Sequence, residues 1–125
     1  MPRLAIVAGA AAFDDQHVEI AETVDRVGRA LADGEILSAA RHTMVLKILI
    51  AQHCLDEETF LLAIGYPRFD AHIEGHLGFM AAVDSMALTL ADHCGQSAQV
   101  FDDLRARFAA LCEDDGEYLR LLKVG

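Results

Sequence analysis

Four stretches of the chain repeat apolar residues at helical spacing, and this repetition constrains the fold more than any other feature. Short breaks separate them, at Asp33-Gly34, at Gly65-Tyr66-Pro67 and at Cys94-Gly95. The predicted helices cover approximately residues 14–33, 36–64, 69–93 and 98–122. Because short connections place consecutive helices side by side in opposite directions, the sequence predicts an all-α fold, an antiparallel up-down-up-down four-helix bundle.

The chain is long enough to bury a core without disulfides, and we expect a single domain over its 125 residues. A hydrophobic content of 54% with only 6% aromatic residues favours helices over strands. Residues 1–13 precede the first predicted helix and are expected to form a short N-terminal arm. Any function must therefore lie within this one bundle.

The net charge and the cysteine content indicate which binding partners and which cellular compartment to expect. The formal net charge of −10 repels phosphate backbones, so nucleic acid is not an expected partner. The three cysteines show no CxxC spacing, which favours a reducing compartment over a disulfide framework. The apolar run 4–12 ends in small residues, as a secretory signal does, but it is short and follows a single charge. No run is long enough to span a membrane, so we expect a cytoplasmic protein.

Each predicted helix also places an imidazole or a carboxylate on its apolar face. An ionised carboxylate buried without a partner is strongly disfavoured, and a metal ion compensates for it well. The spacing fits this role, because two of the helices present an i, i+4 pair of donors from adjacent turns. So many donors suggest two metal ions bridged by carboxylate oxygens, although a mononuclear zinc site remains open on chemistry alone. The expected ligands are His17, His53, Glu57, His72, His76 and Asp115.

These polar residues also have interpretations that need no metal. A single histidine on an apolar face, such as His17, is more often a hydrogen-bonded core residue than a ligand. Buried carboxylates can form salt bridges, but few of the ten basic residues fall on the inward faces. His42 and His93 lie too far along their helices from the other histidines and are expected at the surface or at helix ends. Cys54 and Cys94 are interpreted as ordinary buried or half-buried thiols.

The order and spacing of the motifs resemble those of bacterial single-domain hemerythrin-like proteins. The similarity runs from about Gly9 to Tyr118. Its elements are Gly9 followed by Phe13-Asp14-Asp15-Gln16-His17, then the HxxxE element from His53 to Glu57, then Gly65-Tyr66-Pro67, and then the HxxxH element from His72 to His76.

The resemblance implies two non-haem iron ions joined by an oxo or hydroxo bridge and by two carboxylates, which it assigns to Glu57 and Asp115. One iron would be held by His17 and His53, and the other by His72 and His76. The implied function is binding of dioxygen, or another small diatomic ligand, at an open iron position for storage, delivery or sensing. Dioxygen would bind there end-on as a hydroperoxide.

The last helix departs from the family pattern. Asp115 and Tyr118 keep the expected spacing, but Ala110 falls where the family has a histidine ligand. Cys112 lies three residues before Asp115 and is a candidate substitute ligand, and water could also complete the coordination. An altered coordination shell favours two alternatives to oxygen binding: a di-iron oxidase, peroxidase-like or iron-scavenging protein, and a metal-responsive signalling module.

Overall fold

The computed structural model describes the backbone of residues 3–92 and 96–124, and the side chains of residues 13–92 and 96–113. Within these ranges the chain is helical, with four long helices and no strand. Helix α1 contacts α2 and α4, and helix α3 also contacts α2 and α4, so neighbours close a ring around a common core. The predicted four-helix bundle is confirmed. The helices are α1 (Arg3–Ala32), α2 (Ile36–Ile64), α3 (Phe69–Ala91) and α4 (Ser97–Val124).

In the contacts between consecutive helices, residues later along one helix pair with residues earlier along the next. Phe13 contacts Phe60 edge-on with ring centroids 5.3 Å apart, whereas Gln16, one turn further along α1, bonds to Asp56, one turn earlier on α2. Between α2 and α3, Glu57 contacts His72 near the connecting turn. Further from this turn, Nζ of Lys47 lies 3.0 Å from Oδ1 of Asp84. The rings of Phe79 on α3 and Phe108 on α4 lie 5.5 Å apart. The two residues are a similar number of positions from the connection between α3 and α4. Consecutive helices are therefore antiparallel.

Helix α1 begins earlier than predicted. It starts at Arg3, so residues 3–13 belong to the helix and do not form a separate arm. The physical reason is local, because this segment consists largely of alanine and other helix-compatible residues and lacks an internal proline. The first turns of α1 extend the helix that holds His17.

Two glycines end the first two helices by adopting left-handed backbone conformations. Gly34 has φ 71° and Gly65 has φ 68°, a region that side chains with a Cβ avoid. The N–H of Gly65 and the N–H of Tyr66 bond to carbonyls of the last turn of α2, which satisfies groups that the helix leaves open. The chain thus reverses sharply after α2 and brings α3 back along it.

A continuous apolar core fills the bundle. Apolar residues such as Ile20, Leu46 and Leu104 are buried in it. Phe79 and Met86 of α3 are also fully buried. Within the described residues, no helix is both long enough and apolar enough to cross a membrane.

Replacing a core leucine should measure how much this packing stabilises the bundle. Leu46 is 0% exposed, so Leu46→Ala leaves a cavity and should lower the free energy of unfolding by about 2–5 kcal/mol. Leu37, on the same helix, is 70% exposed, and Leu37→Ala should change the free energy of unfolding by less than about 0.5 kcal/mol. Urea titration of both variants tests this, and equal losses would contradict the assignment of Leu46 to the core.

Candidate metal site

The carboxylate of Glu57 lies at the centre of a cluster of imidazoles in the core. Its side chain is 0% exposed. Oε1 of Glu57 contacts Nε2 of His72 and lies 2.9 Å from Nε2 of His76, whereas Oε2 lies 3.4 Å from Nε2 of His53. The two oxygens of one carboxylate therefore face histidines of two different helices.

These residues form two groups of potential metal ligands that share Glu57. His17, His53 and Glu57 make one group, and Glu57, His72 and His76 make the other, with the ligand atoms of each group within 4.8 Å of one another. The ring centroids are 4.8 Å apart for His17 and His53, and 4.5 Å apart for His72 and His76. The arrangement offers two adjacent positions for a cation, with a carboxylate between them.

Helix periodicity and the α2–α3 turn create this arrangement. His53 and Glu57 are four residues apart on α2, and His72 and His76 are four residues apart on α3, so each pair projects from adjacent turns of one face. The reversal at Gly65 sets the two faces against each other at the same level. His17, half-buried, completes the cluster from α1.

Hydrogen bonds fix the orientation of His53. The amide nitrogen of Gln16 donates to Oδ2 of Asp56 at 2.8 Å, and Gln52 donates to the other oxygen of the same carboxylate. The amide oxygen of Gln16 consequently faces Nδ1 of His53, which donates to it at 2.7 Å. Because Gln16 holds Nδ1, Nε2 of His53 is directed towards the Glu57 cluster.

His76 is oriented in a similar way by a second carboxylate. Nδ1 of His76 donates to Oε2 of Glu58 at 3.0 Å, so Nε2 points at Glu57. Burial by itself lowers the pKa of His76, but hydrogen bonds from the imidazole to Cys54, Glu57 and Glu58 outweigh it and raise the pKa to about 11. Without a metal, the proton on His76 supplies positive charge beside the buried carboxylate of Glu57.

Apolar side chains shield the cluster from water. Phe13 is buried and packs edge-on against His53, with ring centroids 6.0 Å apart. Phe13 also contacts Phe60 on α2. Tyr66 lies edge-on to His72 at 6.4 Å. In this apolar setting the interaction between a carboxylate and a cation is much stronger than in water.

The donor set fits first-row transition metals. Imidazole nitrogens and carboxylate oxygens suit iron, manganese and zinc, and facing helices of bundles are common places for such sites. The Nδ1 protons of His53 and His76 are held by an amide and a carboxylate, the arrangement typical of metal-binding histidines. The described residues can therefore hold one metal ion or two.

The structure brings together five of the six predicted ligands: His17, His53, Glu57, His72 and His76. Asp115 and Tyr118 lie outside the residues whose side chains are described, and His93 and Cys94 lie outside the described residues altogether. His42 is half-buried and belongs to none of the three ligand groups that the described residues form.

Helix α4 does not place Ala110 on its inward face, where the family pattern has a histidine ligand. Ala110 is exposed, whereas its neighbour Leu111 is buried, so the inward face of α4 at this level contains Leu111. Cys112 is half-buried and, among the described residues, joins no ligand group.

The supporting residues were harder to find in the sequence. The sequence marks Gln16 only as part of the first motif, and it predicts no role for Gln52 or Asp56. The spacing of Gln52 and Asp56, four residues apart on α2, was the one available signal for their bond. Cys54 was interpreted as an ordinary thiol; it is buried, but it also forms a third ligand group with Glu58 and His76.

The comparisons with known proteins gave no relative: no protein-family model, curated protein or solved structure matches this chain. The interpretation of the site consequently depends on its own geometry.

The raised pKa of His76 should make the stability of the metal-free protein depend on pH. The folded state holds this proton more tightly than the unfolded chain, so the stabilisation is complete below pH 6.5 and is lost as the pH rises through about 11. The free energy of unfolding, from urea titrations in that interval, should fall more steeply with pH in the wild type than in His76→Gln. Parallel profiles for the two proteins would contradict this assignment.

Proposed function

We propose that the chain is a cytoplasmic dinuclear non-haem iron protein, similar to hemerythrin-like proteins, that binds dioxygen in the bundle core. The main support is the division of the Glu57 carboxylate between two sets of histidines, one on each oxygen. His17 and His53 would hold one iron, His72 and His76 the other, and Glu57 would bridge them. Asp115 is proposed as the second bridging carboxylate on sequence grounds.

The residues around the cluster would prepare the site for iron. Gln16 and Glu58 hold the Nδ1 protons of His53 and His76, so that both Nε2 atoms point inward before any metal arrives. At neutral pH the imidazole of His76 must release its Nε2 proton for a metal to take that place. Bound iron(II) would supply the electrons and the open coordination position that dioxygen binding requires, and Phe13 and Phe60 would exclude bulk water.

A second candidate function is an oxidase, a peroxidase-like enzyme or an iron scavenger. The observation in its favour is Ala110, which stands where the family pattern has a histidine ligand and is exposed on α4. Fewer protein ligands would leave more coordination positions open to water, oxygen or peroxide. The metal-responsive signalling module remains a prediction from sequence, and no contact of the described residues favours it.

Iron loading tests the dinuclear site directly. Metal-free protein titrated anaerobically with iron(II) and then oxidised should hold about two iron ions per chain and show the near-ultraviolet and visible absorption of a di-ferric centre. Glu57→Gln removes the shared carboxylate charge and should retain at most about one iron. Glu74→Gln is the matched control, because Glu74 lies between the two histidines of α3 but is exposed. Equal iron content in both variants, or none in the wild type, would sink the proposal.

Exposure of the reduced, iron-loaded protein to air separates the two functions. Oxygen binding predicts a spectral change that reverses when oxygen is removed under vacuum, with little consumption of added peroxide. Peroxide turnover with rapid irreversible oxidation would support the enzymatic candidate instead. The apolar shield predicts the first outcome, and Phe13→Ser should shorten the lifetime of the oxygenated form by letting water approach His53.

A further inference from the structure

A third group of ligand atoms lies beside the Glu57 cluster, on the other side of the His76 ring. Cys54, Glu58 and His76 each offer one donor atom, and these atoms lie within 4.8 Å of one another. Cys54 is 4% exposed, and the side chain of His76 is 1% exposed. This group contains sulfur, which the groups around Glu57 do not.

The two nitrogens of His76 separate this group from the Glu57 cluster. Nε2 faces Oε1 of Glu57 at 2.9 Å, and Nδ1 faces Oε2 of Glu58 at 3.0 Å. Because the two ring nitrogens point away from each other, a cation on Nδ1 does not occupy either position beside Glu57. Cys54 and Glu58 are four residues apart on α2, so both reach the same side of the ring.

We propose that Cys54, Glu58 and Nδ1 of His76 form a second metal site that binds a thiophilic divalent cation such as Zn²⁺. Three protein donors of the sulfur, oxygen and nitrogen types, with water in the fourth position, are a ligand set that zinc uses. The thiolate favours zinc or cadmium over the hard cations magnesium and calcium. This proposal does not depend on iron at the Glu57 cluster.

Binding at this site has a defined proton balance. The thiol of Cys54 loses its proton, and Nδ1 of His76 loses the proton that it donates to Glu58; both protons leave to solvent. The side chain of Glu58 is 31% exposed, so its carboxylate connects the buried donors to water. When a second metal also occupies Nε2, the ring of His76 is an imidazolate shared by both cations, and the two sites are then coupled.

Cadmium(II) is a suitable probe, because a cadmium–thiolate bond gives a charge-transfer absorption in the ultraviolet. Metal-free wild-type protein titrated with Cd²⁺ should develop this band with about one cation per chain. Cys54→Ser should abolish the band, and Glu58→Gln should weaken cadmium affinity at least tenfold by removing the charged ligand. Glu57→Gln should keep the band, which makes the result independent of the iron proposal.

The other two thiols supply matched controls. Cys112→Ser and Cys94→Ser should both keep the band, since neither cysteine is part of the proposed site. Circular dichroism establishes whether each variant is folded. If Cys54→Ser does not fold, Glu58→Gln provides the test, because Glu58 is partly exposed. The proposal is overturned if the band survives in Cys54→Ser, disappears in Cys112→Ser or Cys94→Ser, or requires Glu57, or if Glu58→Gln binds cadmium as tightly as the wild type.

Discussion

The burial of the Glu57 carboxylate among histidines of neighbouring helices is the constraint on which the rest of the structure depends. A carboxylate removed from water must be matched by positive charge and hydrogen bonds, or it will be protonated. Oε1 and Oε2 of Glu57 meet imidazoles from α2 and α3, so this requirement ties the two helices together at a fixed level. A bundle with only apolar residues at this level could slide more freely.

The surrounding hydrogen bonds connect that constraint to metal chemistry. Gln16 and Glu58 hold the Nδ1 side of two rings, which leaves both Nε2 atoms directed at the same carboxylate. In the metal-free protein, the proton on His76 supplies positive charge there, and its interactions with Cys54, Glu57 and Glu58 raise the pKa of His76 to about 11. A metal ion replaces a proton at such a position, so the same contacts that stabilise the empty fold prepare it for a cation.

His76 is the residue through which the two proposed sites communicate. Its Nε2 faces Glu57 and its Nδ1 faces Glu58, and His76 shares a ligand group with Cys54 and Glu58. A soft cation bound beside Cys54 would displace the Nδ1 proton of His76. Nε2 of His76 would then be a stronger electron-pair donor to a metal in the Glu57 cluster. The metal content of one site would then alter the affinity and redox behaviour of the other.

Helical periodicity and short connections were sufficient to predict the four helices, their antiparallel order and much of the apolar core. The start of α1 was placed too late, because the sequence pattern became amphipathic only after the helix had begun. Five of the predicted ligand residues lie together in the structure. Four of them form i, i+4 pairs on apolar faces, a local property that a helix preserves, and His17 was predicted from its place on the apolar face of the first helix.

Only the tertiary structure decided how these donors meet. The separation of the two Glu57 oxygens, the bond from His53 to Gln16 and the third group around Cys54 all join residues of different helices. No local spacing encodes such contacts, because they depend on the rotation and level of one helix against the next. The sequence therefore determined which donors are available, and packing of the bundle determined which of them share a position.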